Sequence, residues 1–577
     1  MARKGLLWLS LLPLLGAVYG CSSNSDYIRV ILLEGDGYSC ANNSILIKRG
    51  EDASFSIHLE DGVAITSSSY GEYSLEQLES RSVISFSNVR YPVRISLETS
   101  EDLIFYWPDY QEDESPISAP KYNSHLRENA LSGLTHFSRE GYIQTGWNTG
   151  KEGSGEWIPL GGRIPYGVDN LFAVWEKVDD GSLYSYEPFN EGVSITGYSG
   201  SSESLCIPST IDGYDVIGIS SGALVDVKAT SLTLPPTMVN VATNSLPNVT
   251  RLTIYDSLRA IHDSSFPDRS NLVELRVNAI EKPRLSATYW DAFADKIDYL
   301  DSVQDEKKLI LFSGSSGRYG YDSEQLMEAY PEYEVINFGT FAYINMFPQL
   351  ELIKTYLKEG DVILHAPEFD AIDYQFCLYR AIDYRFFYCI EADYGSLTKL
   401  DIRRFDSLFD AFSMYQNNRH NMNQMDYRYA AKWYDDDFNH YTYPTYNVYG
   451  DMTLIRPNHE TDTRIMQPLC DYTSDAISQE HFASLNAYYA ELEQMGLDIY
   501  FSYAPKNIRC LTSDSTEEEI AKLDEVVKEN IDVSVISDIF DYLYQGYYFY
   551  LVDNHLSDEG VGMRMESIIA DLSPYIG

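Results

Sequence analysis

Basic residues are scarce in this chain: 42 lysines and arginines stand against 87 aspartates and glutamates over 577 residues, a formal net charge of -45. A surface of that sign repels phosphate backbones and teichoic acids, which argues against nucleic acid as a partner. Cysteine is also rare, at seven residues. Beyond Cys21, the positions Cys40, Cys206, Cys377, Cys389, Cys470 and Cys510 follow no zinc-ligand spacing, so no metal centre is expected. Past the first twenty residues no stretch is apolar enough to cross a bilayer. What the chain does have is length, too much for one core, and 48 tyrosines. Several domains are expected.

Arg3 and Lys4 precede the apolar run Gly5 to Ala17, and Val18-Tyr19-Gly20-Cys21 follows. Positive residues, a short apolar core and a small residue before a cleavage point make an export signal, expected over residues 1–20. The end of the run resembles a bacterial lipoprotein lipobox, with Cys21 as the lipidated residue. That resemblance implies a chain anchored by lipid to the outer face of the cell membrane. Export permits disulfides, and the four cysteines of the C-terminal half fit either one or two bridges or buried thiols.

Residues 21–110 read as short alternating strands, such as Ser44-Ile-Leu-Ile-Lys and Ala53-Ser-Phe-Ser-Ile-His-Leu, separated by Gly, Asp and Asn. This pattern predicts a β-sandwich-like domain. The acidic, proline-bearing stretch 111–122 is expected to be a linker. In residues 123–178, Trp147, Trp157 and Trp175 with Tyr142 and Phe172 are the candidate core of a small β module. Its Gly141-Tyr142, Gly146-Trp147-Asn148, Gly153-Ser154-Gly155 and Leu171-Phe172-Ala173-Val174-Trp175 resemble the Listeria-Bacteroides repeat of bacterial surface proteins, which implies a spacer or adhesion module.

Over 179–280, Leu205-Cys206-Ile207-Pro208 is echoed by Leu232-Thr233-Leu234-Pro235, Leu252-Thr253-Ile254 and Leu272-Val273-Glu274-Leu275. A recurrence of this kind predicts stacked strands on one continuous core. Together with Ile211-Asp212-Gly213-Tyr214, it resembles the leucine-rich repeat of the treponemal surface-antigen (BspA) type. The resemblance implies a rigid spacer or a surface for a protein partner.

From 281 to 577 strands and helices alternate. Strands are predicted at Lys308–Phe312, Glu334–Phe338, Asp361–Ala366, Asp498–Tyr503 and Asp532–Ile536. Helices are predicted at Asp322–Tyr330, Asn345–Leu357, Ser478–Glu493, Thr516–Lys528 and from Asp558. Parallel strands need crossovers, so the pattern predicts a doubly wound α/β domain in three layers, with its site at the carboxyl ends of the strands. An insertion at 370–475, rich in tyrosine, is expected to lie over that edge as a sugar-stacking surface or a lid. Its Asp435-Asp436-Asp437 has the ligand type for calcium, but three acids in a row are more commonly a solvated loop than a site.

The stretch FSGSSGRYGYDSEQL, Phe312 to Leu326, stands at the end of the first of these strands. With Asn337-Phe338-Gly339 and Asp553-Asn554-His555-Leu556-Ser557 it resembles blocks I, II and V of the SGNH (GDSL-like) hydrolases, over about half the chain. The resemblance implies a flavodoxin-like fold and serine esterase or O-acyltransferase chemistry without a cofactor. One block-I spacing makes Ser315 the nucleophile; the other makes it Ser316. His555 is the implied base, held by Asp553, with Gly339 as oxyanion donor. Asn337 and Glu368 are the implied substrate-binding positions. Two departures stand out: Val552 occupies the family's usual aspartate position, and Glu368 the usual asparagine. The expected substrate is an acylated carbohydrate or cell-wall polymer. The competing expectation is a surface interaction protein with an inactive domain of this fold.

Overall fold

The structure, a computed structural model, describes residues 27–577 except 34, 36, 41–42, 60–62, 71–72, 79–80, 91–92, 101–102, 110–115, 121–136, 166, 282–283, 286–289, 291, 377–381, 392, 422–445, 453–455, 459–467 and 551. Cys21, Cys377 and the Asp435-Asp436-Asp437 run lie outside the described residues. The chain forms two compact units, one of residues 1–60 and 72–96, the other of 61–71 and 97–577.

The smaller unit carries two sheets. One has the order Ser44–Lys48, Tyr27–Leu32, Val93–Ile95; the other has the order Tyr38–Cys40, Ala53–Leu59, Arg81–Phe86, Ser74–Leu78. Alternate residues of Ala53–Leu59 are buried, as a sheet with one covered face requires. The boundary expected at 110 falls instead near residue 96. Leu103–Trp107 pairs with Asn170–Lys177 of the larger unit, and Ile117–Pro120, inside the expected linker 111–122, is a strand paired with Leu103–Trp107. These two strands complete the five-stranded sheet of the tryptophan-rich module. Its core joins Ile104 and Tyr106 to Trp147, Ile158 and Leu171.

The repeats form a parallel ladder in which Leu205, Leu232, Leu252 and Leu275 are successive register partners. All four are buried. The change of pattern near Glu281 does not mark a break in packing: one apolar cluster runs from Tyr184 through the repeats to Ile576. Much of the join is made by the described part of the 370–475 insertion. Its helix Leu408–Asn421 stacks Phe409 on Phe266 at 5.0 Å, and Arg269 donates to the Ile402 carbonyl at 3.1 Å. This part of the insertion is therefore packed against the repeats rather than standing as a separate lid. At the same join Arg419, fully buried, pairs with Glu391 at 2.5 Å, Glu281 at 3.1 Å and Asp256 at 3.3 Å. Arg419→Ala strands buried carboxylates and is expected to cost about 3–5 kcal/mol, read by denaturant unfolding; Glu391→Gln, which keeps a hydrogen-bond acceptor for the guanidinium, is expected to cost less.

The C-terminal sheet has strands β1 (Lys308–Ser313), β2 (Glu334–Gly339), β3 (Val362–Ala366), β4 (Asp498–Phe501) and β5 (Ser534–Val535). They are all parallel in the order β2-β1-β3-β4-β5, a doubly wound sheet. β1 and β3 are buried along their whole length, which is why they read as apolar runs. The connecting helices start where the sequence places side-chain caps. Asp322, Asn345, Ser478, Thr516 and Ser557 each accept a backbone N–H from the first turn they precede. Among the described residues no helix is long and apolar enough to cross a membrane. No disulfide joins two described cysteines, and Cys206, Cys389, Cys470 and Cys510 are buried.

Candidate active site

β1 ends at Ser313, and after Gly314 the chain turns into α1, Ser315–Arg318. The turn must be tight, because β2 ends against it. A Cβ on Gly339 would lie 2.1 Å from the Arg318 nitrogen, and one on Gly314 would lie 2.4 Å from Glu368 Oε1. Both positions therefore require glycine for close approach, without any unusual dihedral angle.

Ser315 Oγ lies 2.8 Å from His555 Nε2. Ser315 retains 9% of its accessible surface, whereas Ser316 is fully buried and bonds Ser313 Oγ at 3.0 Å. The structure thus brings Ser315 to the histidine and turns Ser316 into the sheet. Burial, reinforced by the guanidinium groups of Arg456 and Arg318, pulls the His555 imidazole down to about 3. It is neutral at physiological pH and has a lone pair to accept a proton. Its Nδ1 is buried and makes no hydrogen bond among the described residues.

Asp553 does not hold that nitrogen. Its carboxylate lies 2.7 Å from the Lys506 ammonium, which also pairs with Asp370 at 3.3 Å. Alternation of side chains would have aimed Asp553 and His555 the same way in a strand, but Asp553 and Asn554 form a turn. Burial disfavours the Lys506 charge, yet Asp370 and Asp553 hold its pKa well above the ordinary range. A buried ammonium of this kind needs both carboxylates.

Gly339 and Asn337 are likewise engaged elsewhere. The Gly339 N–H donates to Asn337 Oδ1 at 2.8 Å, and its carbonyl accepts from Lys296 at 2.8 Å. Asn337, fully buried, donates to the Gly317 carbonyl at 3.0 Å and to Asp451 at 2.9 Å. Both residues brace the turn from behind rather than face Ser315. Glu368 faces it. Its Oε1 accepts the Ser316 N–H at 2.6 Å, and its Oε2 accepts from Asn554 Nδ2 at 2.8 Å. Burial, with the nearby Asp370 charge, raises the Glu368 carboxyl to about 7, against the opposing pull of the Ser316 hydrogen bond and Lys506.

No family model and no curated protein matches the chain. Among solved structures it is similar to the crystal structure of a leucine-rich repeat protein of T. pallidum, at 20% identity and a TM-score of 0.16. That similarity covers 18% of this chain and half of the other. A likeness of this size does not establish a shared fold, and the ladder from Ser204 to Asn278 stands on its own register.

Several residues of the site carried no role in the sequence pattern. Tyr319 stacks face to face on His555, with ring centres 3.9 Å apart and planes within 4°. Arg456 donates to the Tyr319 carbonyl at 2.7 Å, and Arg564 donates to the Ser316 carbonyl at 3.0 Å. Asp451 accepts from Ser323 and Asn337 and so ties segment 446–452 to β2. Only Tyr319 had a signal, as part of the Tyr-Gly-x-Asp-Ser run. Among the described residues no carboxylate reaches Nδ1, so this stack and the Ser315 contact at Nε2 hold the imidazole plane. Tyr319→Leu is therefore expected to lower ester turnover at least about tenfold, a fraction of what a well-placed general base contributes, while Tyr319→Phe keeps the ring and most of the rate. Kinetics with p-nitrophenyl acetate would separate the two.

Proposed function

We propose that the C-terminal α/β domain is an SGNH-type serine esterase or O-acyltransferase, acting on acyl groups carried by carbohydrate, in a surface protein anchored by lipid at Cys21. The observation that carries the reading is the 2.8 Å contact between Ser315 Oγ and His555 Nε2 at the carboxyl edge of a β2-β1-β3-β4-β5 sheet. In this reaction Ser315 Oγ attacks the ester carbonyl and passes its proton to His555 Nε2. The imidazolium then gives that proton to the departing alkoxide, leaving an acyl group on Ser315. Water or a sugar hydroxyl, deprotonated by the same nitrogen, takes the acyl group and restores the serine.

A second reading has specific support. Glu368 sits on the Ser316 N–H and Asp553 is held by Lys506, so neither fits a resting triad with a ready oxyanion site. On that reading the chain is a surface interaction protein, its Listeria-Bacteroides-like and BspA-like modules binding a protein partner beside an inactive SGNH-like domain. Release of p-nitrophenol from p-nitrophenyl acetate by the purified chain, lost in Ser315→Ala, favours catalysis. Release that persists unchanged in Ser315→Ala favours the second reading.

The anchor is tested separately. Cells fed a clickable fatty acid should label the wild-type chain and leave Cys21→Ala unlabelled; equal labelling of both removes the lipid anchor from the account.

A further inference from the structure

A tyrosine on the loop packed against the serine turn has no part in the chemistry above. The loop 340–345, after β2, presses on the serine turn: a Cβ on Gly314 would come within 2.8 Å of Ala342 Cβ. The next residue, Tyr343, is 41% exposed. Its backbone is tied down, since Arg385 donates to the Tyr343 carbonyl at 2.9 Å and Gln375 to the Ala342 carbonyl at 2.9 Å. Its ring is braced by Tyr374, edge-on at 5.8 Å, and by Phe341 at 5.5 Å. A fixed, exposed aromatic ring on a loop that packs against the serine turn offers an apolar face at little entropic cost to whatever stacks on it.

The charges nearby restrict what that is. Glu368, Asp370 and Asp553 lie within electrostatic reach of Tyr343, with Lys506 neutralised between two of them. Asp373, next to Tyr374, has its side chain 72% exposed. The cations close to the serine turn, Arg318, Arg456 and Arg564, are buried, and Arg385, which reaches the Tyr343 carbonyl, is paired with Asp383 at 3.2 Å. A polyanion such as a uronate chain or a phosphodiester polymer meets carboxylates here, whereas the C–H face of an uncharged sugar meets a ring. Burial and the same carboxylates push the Tyr343 phenol up to about 12, so it stays protonated and able to donate to a sugar oxygen.

We propose that Tyr343, with Tyr374 at its edge, is the platform on which a neutral pyranose of the acylated substrate stacks, setting its ester against Ser315. The placement of the ester rests on the catalytic reading; the sugar binding does not. The test uses the full chain carrying Ser315→Ala, which cannot turn substrate over. Affinity electrophoresis is run in gels containing O-acetylated xylan, acetylated mannan or polygalacturonate. The expected result is retardation by at least one neutral glycan, weakened about tenfold or more by adding Tyr343→Ala and retained with Tyr343→Phe, with polygalacturonate retarding least. No retardation by either neutral glycan, equal retardation with and without Tyr343→Ala, or a preference for polygalacturonate overturns the proposal. Tyr343-dependent retardation in a chain whose wild type hydrolyses no ester removes the catalytic reading and leaves the platform. Hydrolysis without Tyr343-dependent binding does the reverse.

Discussion

Ser315→Ala and His555→Ala should each reduce turnover of p-nitrophenyl acetate by about a thousandfold or more, and the double variant should lose no more than either alone. The hydroxyl and the imidazole act as one unit, because a serine without a base is a weak nucleophile and a base without the serine has nothing to activate. Ser316→Ala is the control within the same turn. Its hydroxyl bonds Ser313 inside the sheet, so its loss should affect stability more than rate. Additive losses, or a larger loss from Ser316→Ala, would mean that the 2.8 Å contact is not the reacting pair.

The second large effect concerns Glu368. An anion beside Ser315 opposes the negative charge that forms on the carbonyl oxygen in the transition state. With its pKa near 7, Glu368 is neutral below that pH and charged above it. Because His555 stays neutral down to about 3, kcat/KM should show no fall near pH 6 and should instead decline as the pH rises through about 7. Glu368→Gln should remove that decline and raise the rate at pH 8.5 by about fivefold or more, since a unit charge at about 4 Å is worth on the order of 1 kcal/mol even in water. The same substitution leaves an acceptor for the Ser316 N–H and Asn554. A profile unchanged by Glu368→Gln would show that the carboxylate has no part in the site's charge balance.

How much of this was visible in the sequence depended on how locally each feature is specified. Strands β1 and β3 of the C-terminal sheet were legible because parallel strands buried on both faces are nearly continuous apolar runs. The helix starts were legible because Asp322, Ser478, Thr516 and Ser557 are caps that a single residue type announces. Helix Leu408–Asn421 was not legible. It buries Ser413, Gln416 and Arg419 along with its apolar residues, so no amphipathic stripe appears in its sequence. The same holds for the join it makes, where Arg419 meets the buried Asp256 and Glu391 and the more exposed Glu281, all far apart in sequence.

In the candidate site, the meeting of Ser315 with His555, 240 residues later, was within reach of motif order. The surroundings of the pair were not. Asp553 was expected at the imidazole on the alternation of a strand, and a turn at that point with a buried Lys506 takes it away. Gly339 was expected as a donor to an oxyanion, and its N–H is already taken by Asn337, two residues earlier. Tyr319 does what no carboxylate does here, and a stacked ring leaves no mark on residue spacing.

The central claim is that Ser315 is a nucleophile made reactive by His555. Labelling the full chain with a fluorophosphonate at pH 6.5, followed by peptide mapping, tests it most directly. The account predicts a single phosphonylated residue, Ser315, with labelling slowed by about a thousandfold or more in His555→Ala. Modification of Ser316 or of no serine, or labelling of Ser315 at an unchanged rate in His555→Ala, would contradict it.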